Sequence, residues 1–336
     1  MKKAAFLGIT SAALLLFTAC ANTGSSDSAS DSASNEASHN YSINNGENGF
    51  ITVSHISGET SVPLNPQRVV VFDMGILDTL DALGLSEQII GLPQGSHAIP
   101  SHLQHFNAPT RFNAGSLAQP NLELIVAQDP DLIIISGRAR PMFDELSQIA
   151  PTLDLGLVNE DLFGSFIHNS TVLGQIFGLE SEVAEHLSDI EAQVSEITAL
   201  TQDMEYRALV ILFNEGSLRA FGPGGRFGLI HETLGVPAVD NNIEVSTHGY
   251  IISNEYIVAT NPDIIFVIDR NSVVLSGGAP NAHQDIENEL VQLTRAYTSG
   301  NVFYLDSSLW YVAVGGLQGT RIQISEIHDA ILSALK

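Results

Sequence analysis

The stretch NLELIVAQDPDLIIIS, residues 121–136, returns in the second half of the chain as NEYIVATNPDIIFVID, residues 254–269. In each copy a glutamate, Glu123 or Glu255, stands seven residues before a Pro-Asp pair, and an unbroken apolar run follows that pair. The glutamate suits the positive end of a short helix, and the proline ends that helix. The apolar run predicts a strand that is buried on both faces, as in a parallel sheet.

Both copies are followed by an arginine, Arg138 in the first and Arg270 in the second. Strands and helices also alternate through the rest of each half, which predicts an α/β fold. We therefore expect two Rossmann-like lobes with parallel central sheets, each presenting a guanidinium group where a strand ends. Apolar residues at helical spacing between the halves predict a single long spine helix that limits hinge opening.

The predicted organisation divides the chain into five parts. They are a lipoprotein signal peptide at 1–19, a lipidated cysteine with a disordered tether at 20–49, an N-terminal α/β lobe at 50–158, an interlobe helix at 159–182 and a C-terminal α/β lobe at 183–336.

The N-terminus carries the features of a secretory signal, namely Lys2 and Lys3 followed by an apolar run too short to span a membrane. Cys20, the only cysteine, stands at the expected cleavage point and resembles the lipidated residue of bacterial lipoproteins. The alternative is an ordinary signal with a chance cysteine. The polar segment that follows lacks the apolar residues needed to fold. Lipid and tether together predict a body anchored to the outer face of the cytoplasmic membrane.

The charge balance is strongly acidic, with 13 Lys and Arg against 38 Asp and Glu, and a net charge of −25. This balance excludes nucleic-acid binding as the main function. Subtracting Lys2, Lys3 and Lys336 from the 13 cations leaves ten arginines, so the position of each arginine is informative.

Several motifs typical of enzymes are absent from the sequence. There is no Gly-x-Ser-x-Gly, no P-loop lysine and no His-Glu-x-x-His, and the Gly-rich stretch at 222–225 does not continue as a dinucleotide-binding motif. We therefore predict a protein that is not an enzyme and has no intrinsic cofactor.

Residues 50–336 resemble the helix-bridged substrate-binding lipoproteins of bacterial iron–siderophore ABC importers, and are most similar to those for catecholates of the petrobactin and enterobactin type. The stretches that carry this resemblance are FDMGILDTLDALG at 72–84, ISGR at 135–138, GPGGRFG at 222–228, STHG at 246–249, DR at 269–270 and WYVAVGG at 310–316. The resemblance implies a monomer that binds a ferric siderophore between its lobes and delivers it to a permease with a cytoplasmic ATPase.

Arg138, Arg226 and Arg270 resemble the basic pocket of that family. A ferric tris-catecholate carries three negative charges, and guanidinium groups can both stack on catechol rings and donate to their oxygens. Arg140 is a reserve member of this set, and Trp310 is expected beside the same ligand. The alternative is that these arginines pair with surface acids. Five other arginines are interpreted as structural: Arg111, Arg207, Arg219, Arg295 and Arg321.

His248 and Tyr311 occupy motif positions that the resemblance associates with ferric iron. Iron(III) favours phenolate and accepts imidazole, so the two side chains would complete its coordination when a siderophore supplies only four donors. The alternatives are a loop histidine and an aromatic residue of the core.

Glu123 and Glu255 resemble the docking pair of the family, with one carboxylate on each lobe meeting arginines of the permease. The alternative, that they stabilise helix N-termini, is compatible with docking.

Other cargoes remain open on the same fold, namely haem, cobalamin and hydroxamate siderophores. A different class, a zinc-dependent extracytoplasmic enzyme, would use the three histidines of one loop, His97, His102 and His105.

Overall fold

The first half of the chain is built on a five-stranded parallel sheet. A computed structural model describes residues 43–45, 49–95, 99–274 and 282–336. The predicted signal peptide, Cys20, almost all of the tether and His97 lie outside the described residues. The strands are β1 (Ile43–Asn45), β2 (Phe50–His55), β3 (Gly58–Pro63), β4 (Val69–Val71), β5 (Ile89–Leu92), β6 (Phe112–Asn113), β7 (Leu132–Ile135) and β8 (Thr152–Asp154).

Three helices accompany these strands: α1 (Met74–Ala82), α2 (Leu122–Ala127) and α3 (Phe143–Ser147). The parallel sheet has the order β6-β5-β4-β7-β8, and β1, β2 and β3 form a separate antiparallel sheet. We call this part the N-lobe.

Two helices follow, α4 (Leu162–Phe177) and α5 (Glu180–Thr201), and the second half then forms the C-lobe. Its strands are β9 (Ala208–Asn214), β10 (Ser217–Phe221), β11 (Tyr250–Ile252), β12 (Ile264–Asp269) and β13 (Val302–Tyr304). Its helices are α6 (Asn254–Thr260), α7 (Asn271–Val274), α8 (Ala282–Ile286), α9 (Arg295–Thr298) and α10 (Leu317–Ala334). The sheet order is β11-β10-β9-β12-β13.

The predicted parallel arrangement is present in both sheets, and the C-lobe adds an antiparallel edge. Strand β12 pairs in parallel with β9 and β13, whereas β10 pairs antiparallel with both β9 and β11. A two-residue turn at Glu215 and Gly216, both with positive φ, joins β9 to β10. Such a tight turn permits only an antiparallel neighbour.

The central strands are buried on both faces, as their apolar runs predict. In β7, Leu132 and Ile134 pack into one hydrophobic cluster while Ile133 and Ile135 pack into another. Strand β12 divides its residues in the same alternating way. Because successive side chains of a strand point to opposite faces, each sheet separates two layers of core.

The repeated Pro-Asp pairs have the same structural role in both lobes. Asp131 accepts hydrogen bonds from the backbone amides of Gln67 and Arg68, which lead into β4, at 2.9 Å each. Asp263 accepts from the amide of Arg207, which leads into β9, at 3.0 Å. Each aspartate therefore fixes the start of the strand that neighbours its own.

Helix α4 joins the lobes. Its N-terminal half buries Phe166 in the C-lobe core, and its C-terminal half buries Leu173 and Ile176 in the N-lobe core. Gly178, with φ of 67°, ends the helix. Helix α4 lies within the range 159–182 predicted for the interlobe helix, and the lobe boundaries on either side stay predictions. Over the described residues, no helix is both long and apolar enough to cross a bilayer.

A second connection between the lobes is made by residues 310–319, which we call the crossing segment. Trp310 and Leu317 pack in the C-lobe core, whereas Val312 and Ala313, between them in sequence, pack in the N-lobe core. The chain therefore leaves its own lobe and returns to it within eight residues. This contact was not predicted from the sequence.

Candidate ligand-binding site

A cavity of about 650 Å³ lies at the C-terminal ends of the central strands of both sheets. Asp73 follows β4, Ser136 and Arg138 follow β7, Asn214 ends β9 and Arg270 follows β12. The lining also includes Gly137, Arg140, Leu157, Asn159, Leu162, Leu212, Arg219, Arg226, Thr247, His248, Tyr311, Val312 and Val314. A cleft at these strand ends is the common ligand site of open α/β sheets.

The three arginines of the predicted basic pocket converge on Tyr311. The backbone carbonyl oxygen of Tyr311 accepts hydrogen bonds from Nη2 of Arg138 at 2.9 Å and from Nη2 of Arg226 at 2.7 Å. Nε of Arg270 donates to its phenolic oxygen at 2.9 Å. The guanidinium carbons lie 5.5, 4.2 and 5.6 Å from the centre of the Tyr311 ring for Arg138, Arg226 and Arg270, respectively. The three positive charges therefore surround one ring.

This crowding changes the acid–base behaviour of the site. Burial and the like charge of Arg138 lower the pKa of Arg226 to about 10, so Arg226 stays charged at neutral pH. Burial alone would raise the pKa of the Tyr311 phenol. The charge of Arg226 and the hydrogen bond from Arg270 outweigh burial, and the net pKa of Tyr311 is lowered. The arrangement therefore favours an anion beside the arginines and eases formation of a tyrosinate.

Arg226 and Arg270 are not fully neutralised by their neighbours. Nε of Arg226 is buried and has no hydrogen-bond partner within the described residues. Arg270 donates to Asn214 at 2.8 Å, and its only acidic neighbour among the described ion pairs, Glu215, is 4.0 Å away and mostly exposed. A buried donor without a partner costs stability.

The balance of charge in the lining is positive. Among the residues that the structure describes, five of the ten arginines line the cavity, against a single carboxylate, Asp73. That carboxylate is itself engaged, because it accepts from Ser136 Oγ at 2.6 Å and from the amides of Gly75 and Ile76 at the start of α1. In a chain with a net charge of −25, this concentration of arginines opposes the general surface charge.

Arg140 reaches the lining but is already paired. Its Nε lies 2.5 Å from Oδ2 of Asp154, a carboxylate that is fully buried. The ion pair neutralises most of the charge that Arg140 could offer a ligand, and its reserve role stays a prediction.

Trp310 does not line the cavity, and its predicted contact with the ligand is wrong. Its side chain is 1% exposed, packs within the C-lobe core, and donates from Nε1 to Glu326 on α10 at 2.7 Å. Adjacent residues of the turn Ser308–Val312 point in different directions, so Tyr311 faces the cavity and Trp310 the core.

His248 lines the cavity and is exposed. Its backbone carbonyl oxygen accepts from Nη1 of Arg219 at 3.3 Å. Arg219, which the sequence placed among the structural arginines, therefore belongs to the cavity. It projects from β10, and the register of that strand was not readable from the sequence. Asn159 and Thr247 also line the cavity and were missed; Asn159 Nδ2 donates to Thr247 Oγ1 at 2.7 Å.

Glu123 and Glu255 are both exposed and both stand in the first turn of their helices, α2 and α6. A hydrogen bond from Ser253 and one from the residue's own backbone amide lower the pKa of Glu255. Large apolar side chains that are exposed accompany each carboxylate: Leu124 and Val126 beside Glu123, and Tyr250 and Ile251 shortly before Glu255.

The loop histidines pair with aspartates of α1. His102 Nε2 lies 2.6 Å from Asp78 and His105 Nε2 lies 2.9 Å from Asp81. Within the described ranges, no group of three or more His, Cys, Asp or Glu side chains could hold a metal ion. The alternative of a zinc enzyme gains no support from this arrangement.

Comparison with known proteins shows the family to which the chain is related. The family model for periplasmic binding proteins matches residues 69–309. The petrobactin-binding protein YclQ of Bacillus subtilis is 38% identical over 333 residues, which cover 98% of this chain and 99% of YclQ. The crystal structure of YclQ superposes with a TM-score of 0.81 at 40% identity, covering 84% of this chain and 99% of that structure. The catecholate-siderophore-binding protein VctP of Vibrio cholerae superposes with a TM-score of 0.78 at 32% identity, covering 83% and 99%.

Proposed function

Since the chain belongs to the periplasmic binding protein family, we propose that it binds a ferric catecholate siderophore between its lobes and delivers it to an ABC permease. The observation that carries this proposal is the convergence of Arg138, Arg226 and Arg270 on one cavity. Two relatives at more than 30% identity, YclQ and VctP, are named for binding petrobactin and catecholate siderophores.

The charge of the cavity matches this class of ligand. Three catecholates bound to iron(III) carry three negative charges in excess, and Arg138, Arg226 and Arg270 supply three positive charges. Each charge-assisted hydrogen bond contributes about 1.5–3 kcal/mol. Hydroxamate siderophores carry no such charge, so the arginines would be left desolvated without compensation. The same reasoning disfavours cobalamin, whose corrin ring is not a compact polyanion.

Tyr311 and His248 are the proposed iron ligands for a siderophore that supplies only four donors. A phenolate binds iron(III) strongly, and the arginines around Tyr311 lower the pKa of its phenol. The exposed imidazole of His248 on the lining is free to approach the same metal. A siderophore with six donors would leave both residues as neighbours of the complex rather than ligands.

The experiment that tests this function is an equilibrium titration with ferric catecholates, followed by the fluorescence of Trp310, the only tryptophan. Trp310 is buried next to Tyr311 in sequence, so a coloured ferric complex in the cavity should quench it. We expect dissociation constants below about 1 µM, equivalent to more than 8 kcal/mol of binding. The absence of a response to both four-donor and six-donor catecholates would refute the substrate class.

We further propose that Glu123 and Glu255 dock the protein on its permease. One exposed carboxylate on each lobe lets the partner sense the separation of the lobes, and the exposed apolar side chains beside each carboxylate offer area to bury. Cys20 would carry the lipid that holds the monomer at the outer face of the cytoplasmic membrane, beside the permease and its cytoplasmic ATPase.

Reversing the charge at Glu123 or Glu255, by Glu→Arg, is expected to reduce cellular uptake of the ferric catecholate at least fivefold while the dissociation constant stays unchanged. The uptake is measured in cells that depend on the variant chain. Glu182→Arg is the matched control, because Glu182 is an exposed carboxylate in the first turn of α5. Uptake that stays normal in both docking variants, or falls equally in the control, would remove the docking role.

A further inference from the structure

We propose that Asp78 is a positioning residue of the ligand site, which holds the crossing segment from the N-lobe and thereby fixes Tyr311 among the arginines. Asp78 lies in the middle of α1 and is absent from the cavity lining. Its effect on ligand affinity rests on the proposed function, whereas its hold on the segment does not.

Asp78 caps a helix that belongs to the other lobe. Its Oδ1 accepts from the backbone amide of Gln318 at 2.7 Å, and its Oδ2 accepts from the amide of Gly319 at 2.9 Å. These amides belong to the first turn of α10, where backbone donors have no partner within the helix. The residue before α10, Gly316, has no side chain to cap them. The N-lobe therefore supplies the carboxylate that the C-lobe helix lacks.

The carboxylate of Asp78 is buried, and its charge is compensated by hydrogen-bond donors around it. Asp78 is 0% exposed, and an isolated buried charge would be strongly destabilising. His102 provides a third donor, with Nε2 2.6 Å from Oδ2. The hydrogen bond to Asp78 raises the pKa of His102, which favours the charged imidazole. Burial raises the pKa of Asp78, against the effect of these three donors.

Two glycines allow the crossing segment to lie directly against α1. A Cβ atom at Gly316 would overlap the carboxylate of Asp78, and one at Gly75 would overlap the carbonyl oxygen of Val314. Larger residues at either position would push the segment away from the N-lobe.

The crossing segment is thus held at both ends, with Tyr311 between the two attachments. At one end Trp310 donates to Glu326 in the C-lobe; at the other, the amides of Gln318 and Gly319 bond to Asp78 in the N-lobe. The carbonyl oxygen of Tyr311 then meets one arginine from each lobe, Arg138 and Arg226. Loosening the Asp78 attachment should let Tyr311 leave this position although Asp78 touches no ligand.

The test is a double-mutant cycle between Asp78→Asn and Tyr311→Phe, read by the dissociation constant for a four-donor ferric bis-catecholate. Asparagine keeps the shape of aspartate but turns an N–H group toward the backbone donors. We expect Asp78→Asn alone to raise the dissociation constant at least fivefold, and by less than twofold in the Tyr311→Phe background, because the first substitution acts through the second residue. An equal loss in both backgrounds would overturn the proposal.

The matched control is His105→Gln, which breaks the neighbouring and more exposed pair with Asp81 on the same loop and helix. It should leave the dissociation constant unchanged within twofold; a loss as large as that of Asp78→Asn would overturn the proposal. Should Asp78→Asn fail to fold, His102→Ala removes one of the three donors from the half-exposed side of the contact. A rise of at least twofold is then expected, and an unchanged value would overturn the proposal.

Amide hydrogen exchange tests the anchor without any ligand. In Asp78→Asn the amides of Gln318 and Gly319 should exchange at least tenfold faster, and so should the amide of Ala313, which bonds to Ser308 within the turn that carries Tyr311. Faster exchange confined to Gln318 and Gly319 would show that Asp78 caps α10 without positioning Tyr311. If the wild-type protein binds no ferric catecholate, but the amides of Asp78→Asn exchange faster as expected, the proposed function is refuted and the role of Asp78 in holding the segment stands.

Discussion

Replacing Arg226 with alanine is expected to weaken the binding of a ferric tris-catecholate at least tenfold. Arg226 is the closest of the three guanidinium groups to the Tyr311 ring, at 4.2 Å, and its buried Nε has no partner within the described residues. One lost charge-assisted contact of about 1.5–3 kcal/mol corresponds to roughly ten- to hundredfold in the dissociation constant.

The same substitution should not destabilise the free protein. Burial and the repulsion from Arg138 lower the pKa of Arg226, so the charged side chain is held at a cost that its removal relieves. We expect a melting temperature equal to or above that of the wild type, measured by calorimetry beside the titration. A loss of ligand affinity without a loss of thermal stability is expected of a residue that contributes to binding and not to folding.

Arg321→Ala is the control for Arg226→Ala. Arg321 lies half-buried on α10, with its side chain 41% exposed; it pairs with Asp189 at 3.6 Å and is absent from the cavity lining. An exposed pair of this kind contributes between about 0 and 1 kcal/mol, and its loss should leave affinity unchanged. If Arg226→Ala left the dissociation constant as unchanged as Arg321→Ala does, Arg226 would have no role in binding the ligand.

The Tyr311→Phe substitution is expected to separate four-donor from six-donor siderophores. With a ferric bis-catecholate, loss of the phenolate should shift the visible charge-transfer band and weaken binding at least tenfold. With a tris-catecholate, whose iron is already saturated, affinity should change less than threefold. The measurement is a pair of absorbance and fluorescence titrations on the same variant.

Tyr304→Phe is the matched control for Tyr311→Phe. The Tyr304 hydroxyl donates to Glu287 at 3.0 Å and does not line the cavity. Its loss should leave the spectrum of the bound complex unchanged. An identical spectrum for wild type and Tyr311→Phe with the bis-catecholate would remove Tyr311 as a ligand of iron.

The fold was largely predictable because its signals are local. The run of apolar residues after each Pro-Asp pair is sufficient to identify β7 and β12, and repetition of the unit indicated two related lobes. Arg138 and Arg270 could be assigned to the site for the same reason, since parallel strands bring their C-terminal ends to one edge. The roles of Asp131 and Asp263 follow from the repeat only after the pairing of strands is known.

The errors arose where position depends on contacts between distant parts of the chain. Trp310 and Tyr311 are adjacent in sequence, and only packing against α10 decides that the first enters the core and the second the cavity. Arg219 lies on an antiparallel strand whose register is set by a turn. The capping of α10 by Asp78 joins residues 240 positions apart. No periodicity in the sequence predicts a contact over such a separation.

The most direct test of the account compares two ferric ligands that differ in charge. Quenching of Trp310 is titrated at one ionic strength with a ferric tris-catecholate, which is a trianion, and with a neutral ferric tris-hydroxamate of similar size. Convergence of Arg138, Arg226 and Arg270 on the cavity predicts a dissociation constant below about 1 µM for the catecholate and at least hundredfold weaker binding of the hydroxamate. Equal affinity for the two complexes, or preference for the neutral one, would contradict the account.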